Sequence, residues 1–326
     1  MTAATHPRTV VVGAGAIGGA LAVGLAESGQ AVEVVARGAH LDAIRHDGLT
    51  REAPDGPVTV RVRAHAHVSE ADIDEDTVVV LATKAHQVEP VLDDLLAHAG
   101  PGVPVACMHN GIEGERLALR RFRRVQGVLI NTPGVHLEPG IIRVYATEPR
   151  GILDVGRYPS GRDDLSVRLA ASWTAAGFLS EATDDIMARK WAKLLGNVGN
   201  ALQVLCGTDR ASFDDLYGVV RAEAEAVVAA AGISPDLEVQ QRRAGLVARA
   251  DIGIERRPGG STWQSAVRGH ADSEVTMLNG EIALIGRLHG IPTPANDLVQ
   301  AETLKLLRDG DPVGSRDQTD LLRRLG

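Results

Sequence analysis

The chain has 326 residues, a formal net charge of −8 and 44% hydrophobic residues, which is enough for two domains with substantial cores. It contains no basic block and no apolar run of membrane-spanning length, so nucleic-acid and membrane partners are not expected. No signal peptide is visible, and Cys107 and Cys206 stand in apolar contexts. The 11 histidines show no metal-ligand spacing, so we expect no metal. These features predict a reduced, disulfide-free cytoplasmic protein.

The first motif along the chain, Gly-Ala-Gly-Ala-Ile-Gly at residues 13–18, is also the most informative. The β-branched run over residues 8–12 predicts a short buried strand before it, and apolar residues at helical spacing over residues 16–28 predict a helix after it. A glycine turn between a strand and a helix is the usual context of a dinucleotide-binding loop. A turn that serves only packing is the alternative.

Each position of this loop has a role in the dinucleotide interpretation. Gly13 permits the tight turn, Gly15 lets a pyrophosphate approach the backbone, and Gly18 lets the helix pack closely on the strand. The N-terminal N–H groups of the helix attract the anion. The residues that we predict to bind the cofactor here are Gly13, Gly15, Ala16, Ile17 and Gly18.

The end of the next predicted strand, over residues 31–35, indicates which cofactor binds. Enzymes that use NAD usually carry an acidic residue there for the ribose 2′-hydroxyl. Here the strand ends in Val-Val-Ala-Arg-Gly, and Glu33 lies two residues inside, where its side chain should point elsewhere. The Arg37 guanidinium can pair with a 2′-phosphate, so we predict NADPH. A solvated loop arginine is the alternative.

Alternating strand and helix patterns continue to about residue 178 and predict a doubly wound, Rossmann-type parallel sheet. The strands expected in this region include 58–68, 77–81, 103–107 and 125–130, and the helices 87–98, 113–122 and 162–176. Long helices without a convincing strand follow. We therefore predict an α/β dinucleotide-binding domain over residues 1–178 and an all-helical substrate and catalytic domain over residues 179–326.

Polar residues follow two of the predicted parallel strands. Lys84 comes after the strand at 77–81, and Asn110-Gly111 comes after the strand at 103–107. The carboxyl ends of parallel strands share the edge at which ligands bind, so both residues should face the same edge as the glycine loop. A solvated cation and a simple turn are the alternatives. Together, the two residues can contact a cofactor and an anionic substrate.

Lys193, Asn197 and Asn200 stand in an otherwise apolar helical pattern. Their spacing places them on one face of a continuous helix. Lining a cleft, this stripe would supply a proton donor and two amide groups; exposed to solvent, it would have no function.

Two further polar residues occur in the last third of the chain. Ser261 begins Ser-x-x-Gln, which is typical of a capping box; alternatively its hydroxyl binds a carboxylate at the start of a helix. Glu274 opens a long predicted helix, where the dipole favours an acid. It could also pair with Lys193.

The order of these motifs resembles the ketopantoate reductase family (2-dehydropantoate 2-reductases) over nearly the whole chain. The shared features are the glycine loop, the Ala-Arg-Gly strand end, Thr-Lys-Ala at Lys84, Asn110-Gly111, the run from Trp191 to Asn197, Ser-x-x-Gln at 261–264, Glu274, and His-Gly-Ile-Pro-Thr-Pro at 289–294. The resemblance implies a Rossmann-type domain followed by a helical domain.

The same resemblance implies roles for individual residues. Lys193 matches the catalytic lysine that protonates the ketone oxygen, and Glu274 matches a carboxylate partnered to the active site. Lys84 and Asn110 match residues near the nicotinamide and the substrate, and Ser261 matches the serine that holds the substrate carboxylate. The residues predicted on the substrate side are Asn110, Asn197, Asn200 and Ser261.

Two positions depart from the family pattern. The family usually carries a second asparagine four residues after Asn197, where this chain has Ala201. Asn200 comes one residue early, which is about 100° of rotation on a helix. A further family asparagine, three residues before Ser261, is replaced by Pro258. These departures bear on which substrate binds and leave the predicted type of reaction unchanged.

The resemblance implies an NADPH-dependent reductase of a small 2-oxo acid: ketopantoate, as in pantothenate biosynthesis, or a related acid. The alternative is another dehydrogenase of the same superfamily, of the opine or hydroxy-acid type. A non-catalytic NADPH-binding protein is a weaker alternative, because both Lys193 and Glu274 are retained. The sequence leaves open whether the protein forms a homodimer.

Overall fold

The structure is a computed structural model that describes residues 6–255, 259–269 and 274–326. The strands are β1 Arg8–Val12, β2 Val32–Val35, β3 Leu49–Glu52, β4 Val58–Val60, β5 Arg63–His65, β6 Thr77–Leu81, β7 Val105–Cys107, β8 Val125–Asn131, β9 Gly134–Glu138, β10 Ile141–Val144 and β11 Ile152–Arg157. The helices are α1 Ala16–Glu27, α2 Gly38–Asp47, α3 Val88–Ala99, α4 Glu113–Leu119, α5 Asp164–Ala175, α6 Ile186–Asn197, α7 Asn200–Cys206, α8 Asp214–Ala230, α9 Leu237–Ala244, α10 Ser261–Val267, α11 Val275–His289, α12 Pro294–Asp309 and α13 Gln318–Arg323.

The larger sheet has the strand order β11-β8-β7-β6-β1-β2-β5. Its neighbours pair in parallel, except that β11 runs antiparallel to β8. Successive side chains of a strand point to opposite faces, and both faces are covered here. Val11 and Val80 pack in one core with α1 and α5, whereas Val10 and Val79 pack in another with α3 and α4. The predicted doubly wound α/β sheet is confirmed.

A smaller sheet, in the order β4-β3-β10-β9, packs against α1. The approach is close: a Cβ atom added to Gly19 would lie 2.7 Å from Ile142 Cγ1 on β10. This sheet shows that the prediction of one strand over residues 58–68 is wrong. β4 pairs with β3 in the smaller sheet, whereas β5 pairs with β2 in the larger one. Alternation of polar and apolar residues signals extended chain but does not identify its partner.

The chain divides into two compact units. Met1–Lys190 and Glu238–Arg257 form the first, and Trp191–Leu237 and Pro258–Gly326 form the second. Leu179 and Ala182 form parallel bridges to Ile152 and Val155 on β11, so the chain remains with the first unit beyond residue 178. The assignment of cofactor binding to residues 1–178 and of substrate binding and catalysis to residues 179–326 stays a prediction.

A buried ionic cluster explains why residues from Glu238 return to the first unit. Asp154 on β11 is fully buried. It accepts hydrogen bonds from Arg189, at 2.9 Å, and from Arg243 on α9. A buried carboxylate is tolerated only with such partners, so Arg243 holds the returning segment against β11.

The described part of the second unit forms helices and no strand, and the predicted helical C-terminal region is confirmed. Two buried amides link its helices. Asn279 Nδ2 on α11 donates to Val198 O and to Asn296 Oδ1, both at 3.0 Å. Asn296 Nδ2 on α12 donates to Val220 O of α8 at 3.1 Å. These bonds satisfy backbone groups that would otherwise be buried without partners.

The structure was searched for membrane-spanning helices, for metal-ligand clusters and for disulfide bonds. Across the described ranges, no helix combines the length and the apolar character needed to cross a membrane. Within those same ranges, no group of three His, Cys, Asp or Glu side chains could hold a metal ion. Cys107 and Cys206 are buried, free thiols.

Candidate active site

The glycine loop lies between β1 and α1, and Gly13 and Gly18 are required by the protein itself. Gly13 has φ +99°, a region that favours glycine. A Cβ there would lie 2.9 Å from the backbone of Ala82 and Thr83. A Cβ on Gly18 would clash with the Gly13 carbonyl oxygen and lie 2.8 Å from Ala82 Cβ. The tight turn and the close packing predicted for these two glycines are therefore present.

Gly15 is different, because neither its backbone nor its neighbours require glycine. Its φ is −71°, which any residue adopts. Among the described residues, the one atom within 4 Å of an added Cβ is His136 Nδ1, at 4.0 Å. The space beside Gly15 is thus open, and a ligand could approach the backbone there.

The start of α1 borders this space. Ala16 and Ile17 are its first residues and Gly15 is its N-cap, and the first turn carries no acidic side chain. The first N–H groups of a helix lack intrahelical acceptors and favour an anion. The loop therefore has the form of a phosphate-binding turn. Binding of a cofactor by these residues remains a prediction.

Arg37 lies at the end of β2, exposed, as the N-cap of α2. The Oε2 atom of Glu33 lies 2.6 Å from His65 Nε2 on the neighbouring strand β5, so this carboxylate pairs with a histidine. That it leaves the ribose site to Arg37 stays a prediction.

Lys84 and Asn110 occupy the same edge of the larger sheet as the glycine loop. Ala82 N donates to Val12 O at 2.8 Å, which aligns the end of β6 with the end of β1. Met108 N donates to Leu81 O at 2.9 Å, which aligns β7 in the same way. Lys84 and Asn110 are both half-buried. The predicted shared edge is present.

A buried ion pair lies next to the Asn110 loop, and no sequence pattern predicted it. Lys190 Nζ on α6 donates to Glu115 Oε1 on α4 and, at 3.2 Å, to the carbonyl oxygen of His109. Both charged side chains are buried. Burial and the Lys190 charge lower the pKa of His109 to about 3, so its ring is neutral at physiological pH. Glu115 and Lys190 are 75 residues apart, and no local pattern relates them.

In the second unit, Lys193 and Asn197 lie on α6, both half-buried. The continuous helix predicted through Asn200 is wrong, because α6 ends at Asn197 and α7 begins at Asn200. A Cβ on the intervening Gly199 would lie 2.6 Å from Tyr217 Cδ2, so this close approach occurs at the turn between the helices. Of the three residues, only Lys193 and Asn197 therefore share a face of one helix.

The capping box predicted at Ser261 is also wrong. Gly260 is the N-cap of α10, and Ser261 is its first helical residue. Gln264 Nε2 donates to Gly259 O at 2.8 Å, and Gln203 Oε1 accepts from Gly260 N at 2.7 Å. Within the described residues, no hydrogen bond of the half-buried Ser261 hydroxyl is found, so capping does not explain this serine.

Glu274 directly precedes α11 and is 6% exposed. Its pairing with Lys193 stays a prediction. Ala201, one of the two departures noted in the sequence, is buried in α7. The other, Pro258, lies outside the described residues.

Comparison with known families decides the identity of this arrangement. The profile described as ketopantoate reductase PanE/ApbA matches residues 9–160, and the profile of the C-terminal part of the same family matches residues 185–305. The chain belongs to the ketopantoate reductase family. The resemblance inferred from its motifs is confirmed.

Curated relatives in the ketopantoate reductase family match at nearly full length. A 2-dehydropantoate 2-reductase of Mesorhizobium japonicum is 32% identical over 92% of this chain and 97% of its own. One of Pyrococcus horikoshii is 27% identical over 90% of this chain and 95% of its own. The family is one of oxidoreductases that act on CH–OH groups.

Solved structures agree with the fold. A ketopantoate reductase of Ralstonia eutropha JMP134 is 26% identical, with a TM-score of 0.77 over 93% of this chain and 99% of the other. A D-mandelate dehydrogenase in complex with NADH and anilino(oxo)acetate has a TM-score of 0.78 over 93% of this chain and 99% of the other, at 22% identity. At that identity the second likeness concerns the fold alone.

Proposed function

We propose that this protein is an NADPH-dependent reductase of a small 2-oxo acid, with ketopantoate as the first substrate to test. The observation that carries the proposal is the open space beside Gly15, where no packing or backbone requirement of the chain explains a glycine. Membership of the ketopantoate reductase family supplies the reaction class.

The proposed cofactor residues belong to the first unit. Gly13, Gly15 and Gly18 with the first N–H groups of α1 would hold the pyrophosphate. Arg37 would form a charge-assisted, two-pronged contact with the 2′-phosphate of NADPH. Lys84 and Asn110, at the same edge, would bind near the nicotinamide. When bound, the reduced nicotinamide supplies the hydride for the carbonyl carbon.

The proposed chemical residues belong to the second unit. Negative charge develops on the ketone oxygen during reduction, and an ammonium group both stabilises that charge and donates a proton. Lys193 is the proposed donor, because a lysine ammonium group carries three N–H donors and no acceptor. Glu274 is its proposed partner. Asn197 and Asn200 would bind the substrate by their amides, and Ser261 would hold its carboxylate by the hydroxyl.

A 2-oxo acid without the hydroxyl of ketopantoate is the second candidate substrate. Ala201 is buried in α7 where the family pattern has an asparagine, and an alanine side chain cannot hydrogen-bond. A site that pairs the substrate hydroxyl rejects analogues without it by about 10⁴ or more. We expect weaker discrimination here.

Cytoplasmic operation is a further part of the proposal, and the homodimer that the sequence leaves open is a separate point to test. Two buried, free cysteines suit a reducing compartment. Analytical ultracentrifugation of the full chain tests the assembly.

The decisive experiment measures NADPH and NADH oxidation with a panel of carbonyl acids at fixed enzyme concentration. The panel contains ketopantoate, 2-oxo acids that lack its hydroxyl, and amine–oxo acid pairs that an opine-type enzyme would couple. Turnover of 2-oxo acids alone with NADPH supports the proposal. Turnover that requires an added amine contradicts the proposal and favours the opine-type alternative. NADPH binding without any turnover also contradicts it and favours the non-catalytic alternative.

A further inference from the structure

His136 on β9 lies beside the glycine loop. β9 approaches the start of α1, since a Cβ on Gly134 would lie 3.2 Å from Ala16 O. Residues two apart on a strand point to the same face, and His136 follows Gly134 by two. Its Nδ1 atom lies 4.0 Å from the position that a Cβ on Gly15 would take. The imidazole therefore borders the space in which we place the pyrophosphate.

A second histidine, His40, contacts both the His136 ring and the glycine loop. His40 Nδ1 on α2 accepts from Gly140 N at 2.9 Å, and its Nε2 donates to Ala14 O at 2.8 Å. These two bonds require the neutral ring with the proton on Nε2, and burial lowers the pKa of His40 in the same direction. The rings of His40 and His136 pack with their centroids 4.2 Å apart, tilted by 46°. His136 thus rests against a ring that is fixed by hydrogen bonds.

We propose that His136 is a further phosphate-binding residue, donating a hydrogen bond from Nδ1 to the pyrophosphate of the dinucleotide. The proposal rests on the proposed function. The loop over residues 13–18 contains no cationic side chain, so its own contribution is limited to backbone N–H groups and the helix dipole. An imidazole N–H adds a side-chain donor, and an imidazolium makes that hydrogen bond charge-assisted.

This assignment separates two contributions to cofactor binding. The pyrophosphate is common to NADPH and NADH, so His136 acts on both cofactors alike. The 2′-phosphate occurs in NADPH alone, so Arg37 acts on one. His136 therefore sets the affinity for either dinucleotide, and Arg37 sets the choice between them.

The test is calorimetric titration of the full chain with four probes: NADPH, NADH, ADP-ribose and adenosine 2′-monophosphate. His136→Ala should weaken the first three by a similar factor, about tenfold. Adenosine 2′-monophosphate lacks a pyrophosphate and should bind as to the wild type. His67→Ala, which removes an exposed histidine of the same unit, should change nothing.

Two more variants separate hydrogen bonding from ring packing against His40. His136→Phe keeps an aromatic ring without a donor, and His136→Gln keeps a donor without the ring. The proposal predicts that Gln binds ADP-ribose more tightly than Phe, and the reverse order overturns it. Equal binding of ADP-ribose by the wild type and by His136→Ala also overturns it. A wild type that binds neither NADPH nor NADH contradicts the proposed function itself, and melting of each variant without ligand shows whether it is folded.

Discussion

The two units present their candidate site residues in different ways. In the first, the site is mainly a matter of backbone: a left-handed Gly13, an open Gly15, a tightly packed Gly18, and the aligned ends of β1, β6 and β7. In the second, the candidates are side chains at or near helix ends, among them Asn197, Ser261 and Glu274. The pyrophosphate is the same in NADPH and NADH, so a fixed backbone can bind either. Substrates differ, and interchangeable side chains accommodate that difference.

The largest expected effect removes the proposed proton donor. Lys193→Ala should lower kcat by about 10²–10⁴ and leave the affinity for NADPH nearly unchanged, because the proposed cofactor residues belong to the other unit. Lys305→Ala, an exposed lysine on α12 of the same unit, is the matched control. Steady-state kinetics and cofactor titration measure both. Near-normal turnover of Lys193→Ala would leave Lys84 as the next candidate.

The buried pair next to the Asn110 loop should show that the first unit also depends on side chains. Lys190→Met leaves the Glu115 carboxylate buried without its partner, which should lower the free energy of unfolding by about 3–5 kcal/mol. The double variant Lys190→Met/Glu115→Leu removes both charges and should regain much of that loss. Chemical denaturation followed by tryptophan fluorescence measures each. A loss below about 1 kcal/mol in the single variant would contradict a buried ion pair.

The glycine loop allows ligand binding and packing to be separated. Gly18→Ala should lower the free energy of unfolding by about 3 kcal/mol, because the added methyl clashes with the Gly13 carbonyl. Gly15→Ala should leave stability nearly unchanged yet weaken NADPH and NADH binding by about tenfold or more, because its methyl enters the proposed ligand space. Tight cofactor binding by Gly15→Ala would show that the space beside Gly15 is not the pyrophosphate site.

Cofactor choice should depend on one exposed arginine. Arg37→Ala should weaken NADPH binding by about ten- to a hundredfold, since a charge-assisted contact is lost, while NADH binding serves as the internal control. If the wild type binds NADH as tightly as NADPH, Arg37 does not select the cofactor.

The smallest expected effect concerns the substrate carboxylate. Ser261 is the first residue of α10 rather than its cap, so Ser261→Ala should leave the melting temperature nearly unchanged. If the hydroxyl binds the carboxylate, kcat/KM for 2-oxo acids falls about tenfold. Unchanged activity would remove Ser261 from the site.

What the sequence predicted well and badly follows the same division between backbone and side chains. The strand, glycine turn and helix at residues 8–28 were correctly predicted because local pattern and local geometry coincide there. The strand at 58–68 failed because its two halves pair with different sheets. The helix through Asn200 failed because nothing in its apolar spacing reports that Tyr217 packs on Gly199.

The polar clusters were beyond prediction for a related reason. The carboxylate of Glu115 meets Lys190 across 75 residues of chain, and Arg243 reaches Asp154 across 89. Such pairs depend on which elements become neighbours, and this information is not contained in periodicity. The prediction of a capping box at Ser261 was wrong by a single residue, because the helix starts one residue earlier than the motif suggests.

The return of the chain to the first unit at Glu238 has a consequence for dissection of this protein. Expression of residues 191–326 as a separate fragment would retain Arg243 but lose Asp154, its buried acceptor on β11. The guanidinium would then have no fixed counter-charge, and the segment around α9 would lose the strand it rests against. A chimaera between relatives must therefore take the segment from Glu238 to Arg257 from the same parent as the rest of the first unit. A single crossover after Lys190 would join α9 of one parent to β11 of the other.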